Sequence, residues 1–589
     1  MLGVAAACLL ALVGRLCYIH AAMAGPGSRI ALQLEQQQQA TMPLPARRGE
    51  ILDVEGRVLA GSQERPSIFA DPSLLEDPEP VAEALGAILN IRRDELRRLL
   101  TERNADGTLK RFVWLKRRVE GPEAEAARAW IEKHKILGVG ILNEPFRRYP
   151  MGSLGAHVVG FVNIDGKGME GVERRYDSIL RGTSGSITVC RDAARRPIWP
   201  APGQDALIPP RDGMTVKLTL DAAVQEILEA QVSAAVTHFK AESGVGIVMN
   251  PRTGDVLGMA SVPTYDPNRP GDSPPSARRN RCLTDPTEPG STFKPFIASA
   301  ALAEKVVKPG ESIYCHSGLY VVGSRNLHDH HPYGDLTFEQ IVIKSSNIGM
   351  AILGQRLGNE RMHRYLSAPY GFGFGSRTGI ELDGEDPGML LPLRRWTTFS
   401  TTSVPMGQEV AVTPLQLATA FCAIVNGGRA VVPRVVRAII DPRGEVVEDF
   451  SGAQNGRQVI PPDVAEYMTK TVLVGVVNEG TGLRARLPNY QVLGKTGTAQ
   501  IARPGGGGYQ PDAYTSSFVA AAPASDPQVV VLIMVRRPQR SIAYYGGTVA
   551  APAVREVLAR TLAYLEIPPD KSPENEPKSA WLRPTRATD

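Results

Sequence analysis

Gly244–Ser261 reads GVGIVMNPRTGDVLGMAS, two apolar runs on either side of Pro251-Arg252-Thr253-Gly254. A Pro-to-Gly turn between two such runs predicts a β-hairpin. Just upstream, Asp221 is placed to cap a helix over Ala222–Phe239, although Glu226 falls too late for a capping box. Far downstream, Val529–Val535 (VVVLIMV) reads as a buried strand and Pro552–Leu565 as an amphipathic helix. A helix, an antiparallel sheet and a closing helix predict an α+β domain over 217–567, with a central antiparallel sheet and helices.

The 589 residues exceed one compact domain. The segment 25–216 mixes short strands, helices and loops without a catalytic grouping, and reads as an elongated, non-catalytic mixed α/β module. Within it, Arg47–Ala60 (RRGEILDVEGRVLA) turns at Glu55-Gly56 and predicts a hairpin. Pro78–Glu102 has helical periodicity, with Leu85, Ile88, Leu89, Leu96 and Leu99 on its apolar positions. Gln33–Gln39 reads as a helical polar stalk, Gly152–Gly185 as irregular chain, and 568–589 as a disordered tail rich in Pro, Lys and Glu. Leu2–Ala24 carries Arg15 as its one formal charge. As a helix it would span about 35 Å, enough for a bilayer core. Residues 1–24 are therefore expected to be a transmembrane anchor. A cleaved signal peptide ending at Ala22-Met23-Ala24 is the alternative, weakened by the lack of a basic n-region. On either reading the bulk of the chain is exported.

Hydrophobic residues make up 43% and charged residues 22% of the chain, an ordinary globular balance. The net charge of +5 is not gathered into a basic block with interleaved aromatics, so no nucleic-acid partner is expected. The six cysteines contain no C-x-x-C pair and form neither a disulfide framework nor a zinc site. Buried free thiols are expected, with a Cys282–Cys315 disulfide as the open alternative. His328, Asp329, His330 and His331 could be metal ligands, but beside Pro332 and Gly334 they read as loop residues. Gly505–Gly508 reads as a flexible loop.

Three short motifs follow one another in the second domain: Ser291-Thr292-Phe293-Lys294, Ser345-Ser346-Asn347 and Lys495-Thr496-Gly497-Thr498. Pro289-Gly290 opens a helix at Ser291, and Pro295 is tolerable only if that helix has just begun. Ser291 and Lys294 then lie one turn apart on one face. A serine hydroxyl needs a base to become a nucleophile, and a buried lysine near other cations can be that base. The hydroxyl and amide of Ser345 and Asn347 can relay a proton and hold a peptide carbonyl. Lys495–Thr498 reads as a strand with Lys495 and Gly497 on one side and Thr496 and Thr498 on the other. Gly497 would let a substrate backbone approach, and an edge strand there could pair with an extended peptide.

Singly, each motif is commonplace: a solvated helix, a cap and a turn. Gly494-Lys495-Thr496 is not a phosphate loop, because Asn489 stands where that motif needs glycine. All three together, in this order, match the S-x-x-K, S-D-N and K-T-G set of penicillin-recognising serine enzymes, with Ser346 in place of the aspartate.

At this point the sequence resembles the class B penicillin-binding proteins, particularly the division-type septal transpeptidases. GRLCYIH is similar to their anchor. RRGEILDVEGRVLA, RRYPMGSLGAHVVGFVN (Arg147–Asn163) and GMEGVERRYDSILRG (Gly168–Gly182) are similar to their pedestal. RNRCLTDPTEPGSTFKPF (Arg279–Phe296), KSSNIGM, MGQEVAVTPLQLA (Met406–Ala418) and LGKTGTAQ are similar to their catalytic domain. The resemblance implies a single-pass protein whose transpeptidase domain stands outside the cytoplasmic membrane and cross-links peptidoglycan stem peptides ending in D-alanyl-D-alanine. It implies Ser291 as nucleophile, Lys294 as base, Ser345 passing a proton and Asn347 holding the donor. Lys495, Thr496 and Thr498 would recognise the terminal carboxylate, and the N–H groups of Ser291 and Thr498 would form the oxyanion hole. It implies inhibition by β-lactams, no metal or organic cofactor, and a membrane glycan polymerase and division proteins as partners. No glycosyltransferase-sized segment precedes the second domain, which argues against a bifunctional enzyme, and no accessory domain is expected after Pro568. Elongation duty, a catalytically silent division scaffold and a β-lactam sensor are the alternatives. A β-lactamase or carboxypeptidase is another, although no Glu-x-x-Leu-Asn segment lies between Asn347 and Lys495.

Overall fold

The computed structural model describes residues 2–23, 39–191, 197–198, 207–454, 456–503, 505 and 507–571. Most of the Gln33–Gln39 stalk and the tail beyond 571 lie outside these residues. The chain forms two compact units. The first comprises the N-terminal stretch to Glu50, Gly61–Arg148 and Ser178–Met214. The second comprises Ile51–Ala60, Tyr149–Asp177 and everything from Thr215 onward. The second unit thus takes two pieces from the segment that the sequence alone places with the first.

In the first unit, Leu2–Met23 form a helix of 22 residues. Among the described residues, no helix is long and apolar enough to cross a membrane. The core lies where strand Val58–Ala70 pairs with Val113–Lys116 and Val139–Arg148, both antiparallel. Ile68, Leu85, Leu89, Leu96 and Val113 fill it. The helical stretch expected over Pro78–Glu102 is two helices, Pro78–Leu89 and Arg93–Leu100. Asn90 breaks them by taking the left-handed conformation, φ 53°, as the cap of the first. Gln39, read as stalk, instead opens a strand, Gln39–Leu44.

In the second unit, the expected hairpin at Glu55-Gly56 forms between Ile51–Leu52 and the start of the Val58–Ala70 strand. The central sheet is five-stranded and antiparallel throughout. Its order is Val256–Val262, Ser243–Met249, Val529–Arg536, Tyr509–Ala522, Leu493–Ala502. The Ser243–Met249 strand is buried along its whole length, and Val529–Arg536 as far as its last residue, Arg536, because helices cover both. Helix Ala222–His238, capped by the Asp221 carboxylate on the N–H of Ala223 at 2.8 Å, packs with helix Ala551–Tyr564 on the apolar face. The strand Leu493–Ala502 lies at the edge of the sheet, as the peptide-pairing reading requires. Cys282, Cys315 and Cys422 are free and buried, so the Cys282–Cys315 disulfide does not form. Burial pushes the Cys282 thiol up to about 12.

Candidate active site

The turn before Lys294 sets the position of Ser291. Gly290 takes φ 54° and its N–H donates to Gly407 O at 3.2 Å. Ser291 lies on a 3₁₀ turn, Gly290–Phe293, and the α-helix begins only at Lys294, with Pro295 in its first turn. The sequence placed the α-helix start at Ser291. The tighter turn still brings the two side chains onto one face, because positions i and i+3 eclipse in a 3₁₀ helix. Ser291 Oγ makes no hydrogen bond to Lys294. Such contacts often tighten only when substrate is bound.

Lys294 is fully buried. Its Nζ donates to Ser345 O at 2.7 Å, Ser345 Oγ at 3.1 Å and Asn347 Oδ1 at 2.8 Å. Burial lowers its ammonium to about 7, opposed by the charge of Asp329. Lys495, equally buried, donates to Ser345 Oγ at 3.0 Å and to Thr496 O at 3.2 Å. Burial, and then the neighbouring Lys294, hold it well below the ordinary lysine value. Ser345 itself sits at φ 58°, a conformation that a non-glycine residue adopts only when its surroundings enforce it.

Asp329, which reads as a loop residue in the sequence, holds the three residues that follow Ser345. Ser346 Oγ donates to Asp329 Oδ2 at 2.6 Å. Asp329 Oδ1 accepts from the N–H of Asn347 and from that of Ile348 at 3.1 Å. Ser346 Oγ in turn accepts from Gly349 N–H at 2.9 Å, capping the helix Asn347–Leu357. A carboxylate at a helix N-terminus gains both hydrogen bonds and the helix dipole. Asn347 Nδ2 donates to His328 O at 3.1 Å, which fixes the amide with Oδ1 toward Lys294. The signal was present in the second motif: Ser346 replaces an acid, and the missing acid arrives from another segment.

On the edge strand, Thr496 Oγ1 lies 2.6 Å from Thr481 Oγ1, and Thr498 Oγ1 accepts from Gly546 N–H at 3.0 Å. Gly497 turns the other way. A Cβ there would stand 2.4 Å from Ser517 Oγ, 2.8 Å from Thr292 Cγ2 and 3.1 Å from Pro289 O. The space beside Gly497 is therefore filled by the chain itself, by Ser517 of the adjacent strand and by the Pro289–Thr292 turn.

A cleft of about 760 Å³ opens over these groups. Ser291, Ser345, Thr496 and Thr498 line it, with His330, His331, Tyr333, Lys344, Glu479, Thr481, Arg484 and Tyr545. The structure thus brings Ser291, Lys294, Ser345, Asn347, Lys495, Thr496 and Thr498 to one place. The sequence did not single out Tyr333, Lys344, Glu479, Thr481, Arg484 or Tyr545, which carry no motif. Among the described residues no group of three His, Cys, Asp or Glu side chains is placed to hold a metal.

A serine at a helix start, two buried amines of lowered basicity on one serine hydroxyl, and an edge strand beside a cleft are the parts of a serine acyl-transfer enzyme. Residues 244–559 match the penicillin binding protein transpeptidase domain, and residues 43–218 the penicillin-binding protein dimerisation domain. The chain is 34% identical over 571 residues to stage V sporulation protein D of Bacillus subtilis, covering 96% of this chain and 85% of that one. It is 31% identical over 532 residues to the peptidoglycan D,D-transpeptidase FtsI of Escherichia coli, covering 89% and 84%. The crystal structure of penicillin binding protein 3 from Mycobacterium tuberculosis complexed with aztreonam superposes with a TM-score of 0.68 at 28% identity, covering 90% of this chain and 99% of that one. The chain belongs to the class B penicillin-binding proteins. Its enzymatic class is that of a serine-type peptidoglycan D,D-transpeptidase.

Proposed function

We propose that this transpeptidase cross-links stem peptides in septal wall synthesis and that its motif residues divide the work as follows. Ser291 attacks the donor carbonyl, and Lys294 takes its proton. Ser345 passes a proton to the departing D-alanine amine, and Asn347 holds the donor. Lys495, Thr496 and Thr498 recognise the terminal carboxylate, with Gly497 keeping the strand close to the nucleophile turn. The N–H groups of Ser291 and Thr498 receive the oxyanion. The amine of a neighbouring stem then resolves the acyl-enzyme. The observation that carries this reading is the meeting of Lys294 and Lys495 on Ser345 Oγ, in the cleft that Ser291 lines.

A single-pass anchor in the cytoplasmic membrane, with the catalytic domain on the external side, rests on the sequence of Leu2–Ala24, where Arg15 is the one formal charge. The division into anchor (1–24), non-catalytic module (25–216), transpeptidase domain (217–567) and tail (568–589) follows from that reading. A membrane glycan polymerase and division proteins are the partners it calls for. Labelling with a fluorescent penicillin, followed by peptide mapping, tests the core of the proposal: the label should sit on Ser291 and vanish in Ser291→Ala. Label on another serine would sink the assignment, and no label at all would favour the scaffold. A fluorescent fusion gathered along the side wall instead of at midcell would favour elongation.

A further inference from the structure

The two half-reactions make different demands. In the first, Lys294 works from beneath, and its Nζ is held by three oxygen atoms of Ser345 and Asn347. Lys294 is fully buried and its Nζ is already engaged, so a base on the cleft wall is better exposed to an amine that enters from solvent. His330 lines the cleft together with Ser291, Ser345, Thr496 and Thr498. Its ring meets Tyr545 edge-on with centroids 6.0 Å apart, and among the described residues no protein group hydrogen-bonds either imidazole nitrogen. It follows directly on Asp329, so the carboxylate that fixes the Ser346-Asn347 turn also fixes where His330 stands. An imidazole is matched to proton transfer near neutral pH better than a carboxylate or a guanidinium.

We propose that His330 is the general base of the second half-reaction, accepting a proton from the acceptor amine as it attacks the Ser291 ester. This role rests on the transpeptidase reading above. The amine enters uncharged. Its nitrogen bonds to the acyl carbon while the bond from that carbon to Ser291 Oγ breaks. His330 takes one N–H proton, and the imidazolium returns a proton to Ser291 Oγ, so the step balances without another reactant. Desolvation by the cleft wall, with the charges of Lys294 and His331, lowers the imidazole's basicity, and Asp329 opposes them. Lys344, Glu479 and Arg484 are the other charged groups lining the cleft. The balance favours the neutral ring, the form that accepts a proton.

The test uses the full chain with a D-alanyl thioester donor, D-alanine as acceptor amine, and a fluorescent penicillin as a separate probe of acylation. His330→Ala is expected to slow aminolysis about 10²-fold, the usual share of a general base. Penicillin acylation should change far less, and added imidazole should restore part of the lost aminolysis. His330→Gln, which keeps the bulk of the wall, should show the same loss and lack the rise of aminolysis with pH that follows imidazole deprotonation. Unchanged aminolysis, equal losses in both steps, or no rescue by imidazole would each overturn the role. Failure of the wild-type chain to react with penicillin would overturn the transpeptidase reading itself, and His330's role with it.

Discussion

Lys294 and Lys495 place their Nζ atoms 3.1 and 3.0 Å from the same oxygen, Ser345 Oγ. Both amines are fully buried, so neither holds a proton as firmly as a solvated lysine. The neutral form of Lys294 is the one able to take the Ser291 proton. Penicillin acylation should therefore rise with pH through about 7, where the Lys294 ammonium titrates, and then level off. Stopped-flow acylation across that range checks it. Lys294→Met should remove the rise and slow acylation by about 10²–10⁴-fold. A flat profile in the wild-type chain, or near-normal acylation in the variant, would mean that Lys294 is not the base.

Asp329 acts on the same titration from the opposite direction. Its carboxylate raises the Lys294 value against burial, so removing it should move the rise in acylation to lower pH. Asp329→Ala also deletes the acceptor of Ser346 Oγ and of two backbone N–H groups at the start of the Asn347–Leu357 helix. Loss of a helix cap costs about 0.5–2 kcal/mol, so the melting temperature should fall as well. A rise displaced to higher pH would contradict the placement of this charge.

What the sequence disclosed and what it hid divide along one physical line. Local signals sufficed for the Gly244–Ser261 hairpin, the Asp221 cap and the buried Val529–Val535 run, because pattern and turn chemistry lie within a few residues. The three motifs were legible because each keeps its chemistry at fixed short spacing. Asp329 was hidden: it serves Ser346, 17 residues further on, across a loop that no periodicity describes. Asn90 was hidden because one left-handed residue splits a helical pattern without disturbing its apolar spacing. Gly497 was legible as a close-approach position, read as room for a substrate backbone. Which neighbour demands it was not, since Thr292 and Ser517 come from other segments.

Gly497→Ala tests that neighbour. Its new Cβ would press on Thr292, one residue from Ser291, and on Ser517 of the adjacent strand. Overpacking of this kind typically costs about 1–3 kcal/mol. The variant should melt at lower temperature, and it should acylate more slowly because the turn that carries Ser291 is displaced. Unchanged melting would show that the strand and the turn can part freely. Unchanged melting with impaired donor binding would return Gly497 to a direct role toward substrate.

The last prediction concerns how much of the chain the site needs. A fragment from Pro210 to Pro568 keeps the five-stranded sheet, its apolar core and all three motifs. It should fold and react with penicillin. It also loses the two early pieces of the second unit, and their removal leaves specific groups bare. Ile51–Leu52 pair in parallel with Thr215–Leu218. Asp53 accepts from Ala222 N–H at 3.1 Å, and Arg57 bridges Asp53 at 2.6 Å and Asp221 at 2.8 Å. From the other piece, Gly155 N–H donates to Glu229 at 2.9 Å, Ala156 O accepts from Tyr265 at 2.9 Å, and His157 meets Ala277 O at 2.8 Å. Each buried polar group left without a partner costs about 1–3 kcal/mol. The fragment should therefore lose its reactivity toward penicillin at a temperature several degrees below that of the full chain. Heating both proteins in steps and labelling the survivors measures this. Equal survival would mean that the early pieces lend the catalytic unit no stability. A fragment that folds but cannot be acylated would show that they hold the site in shape.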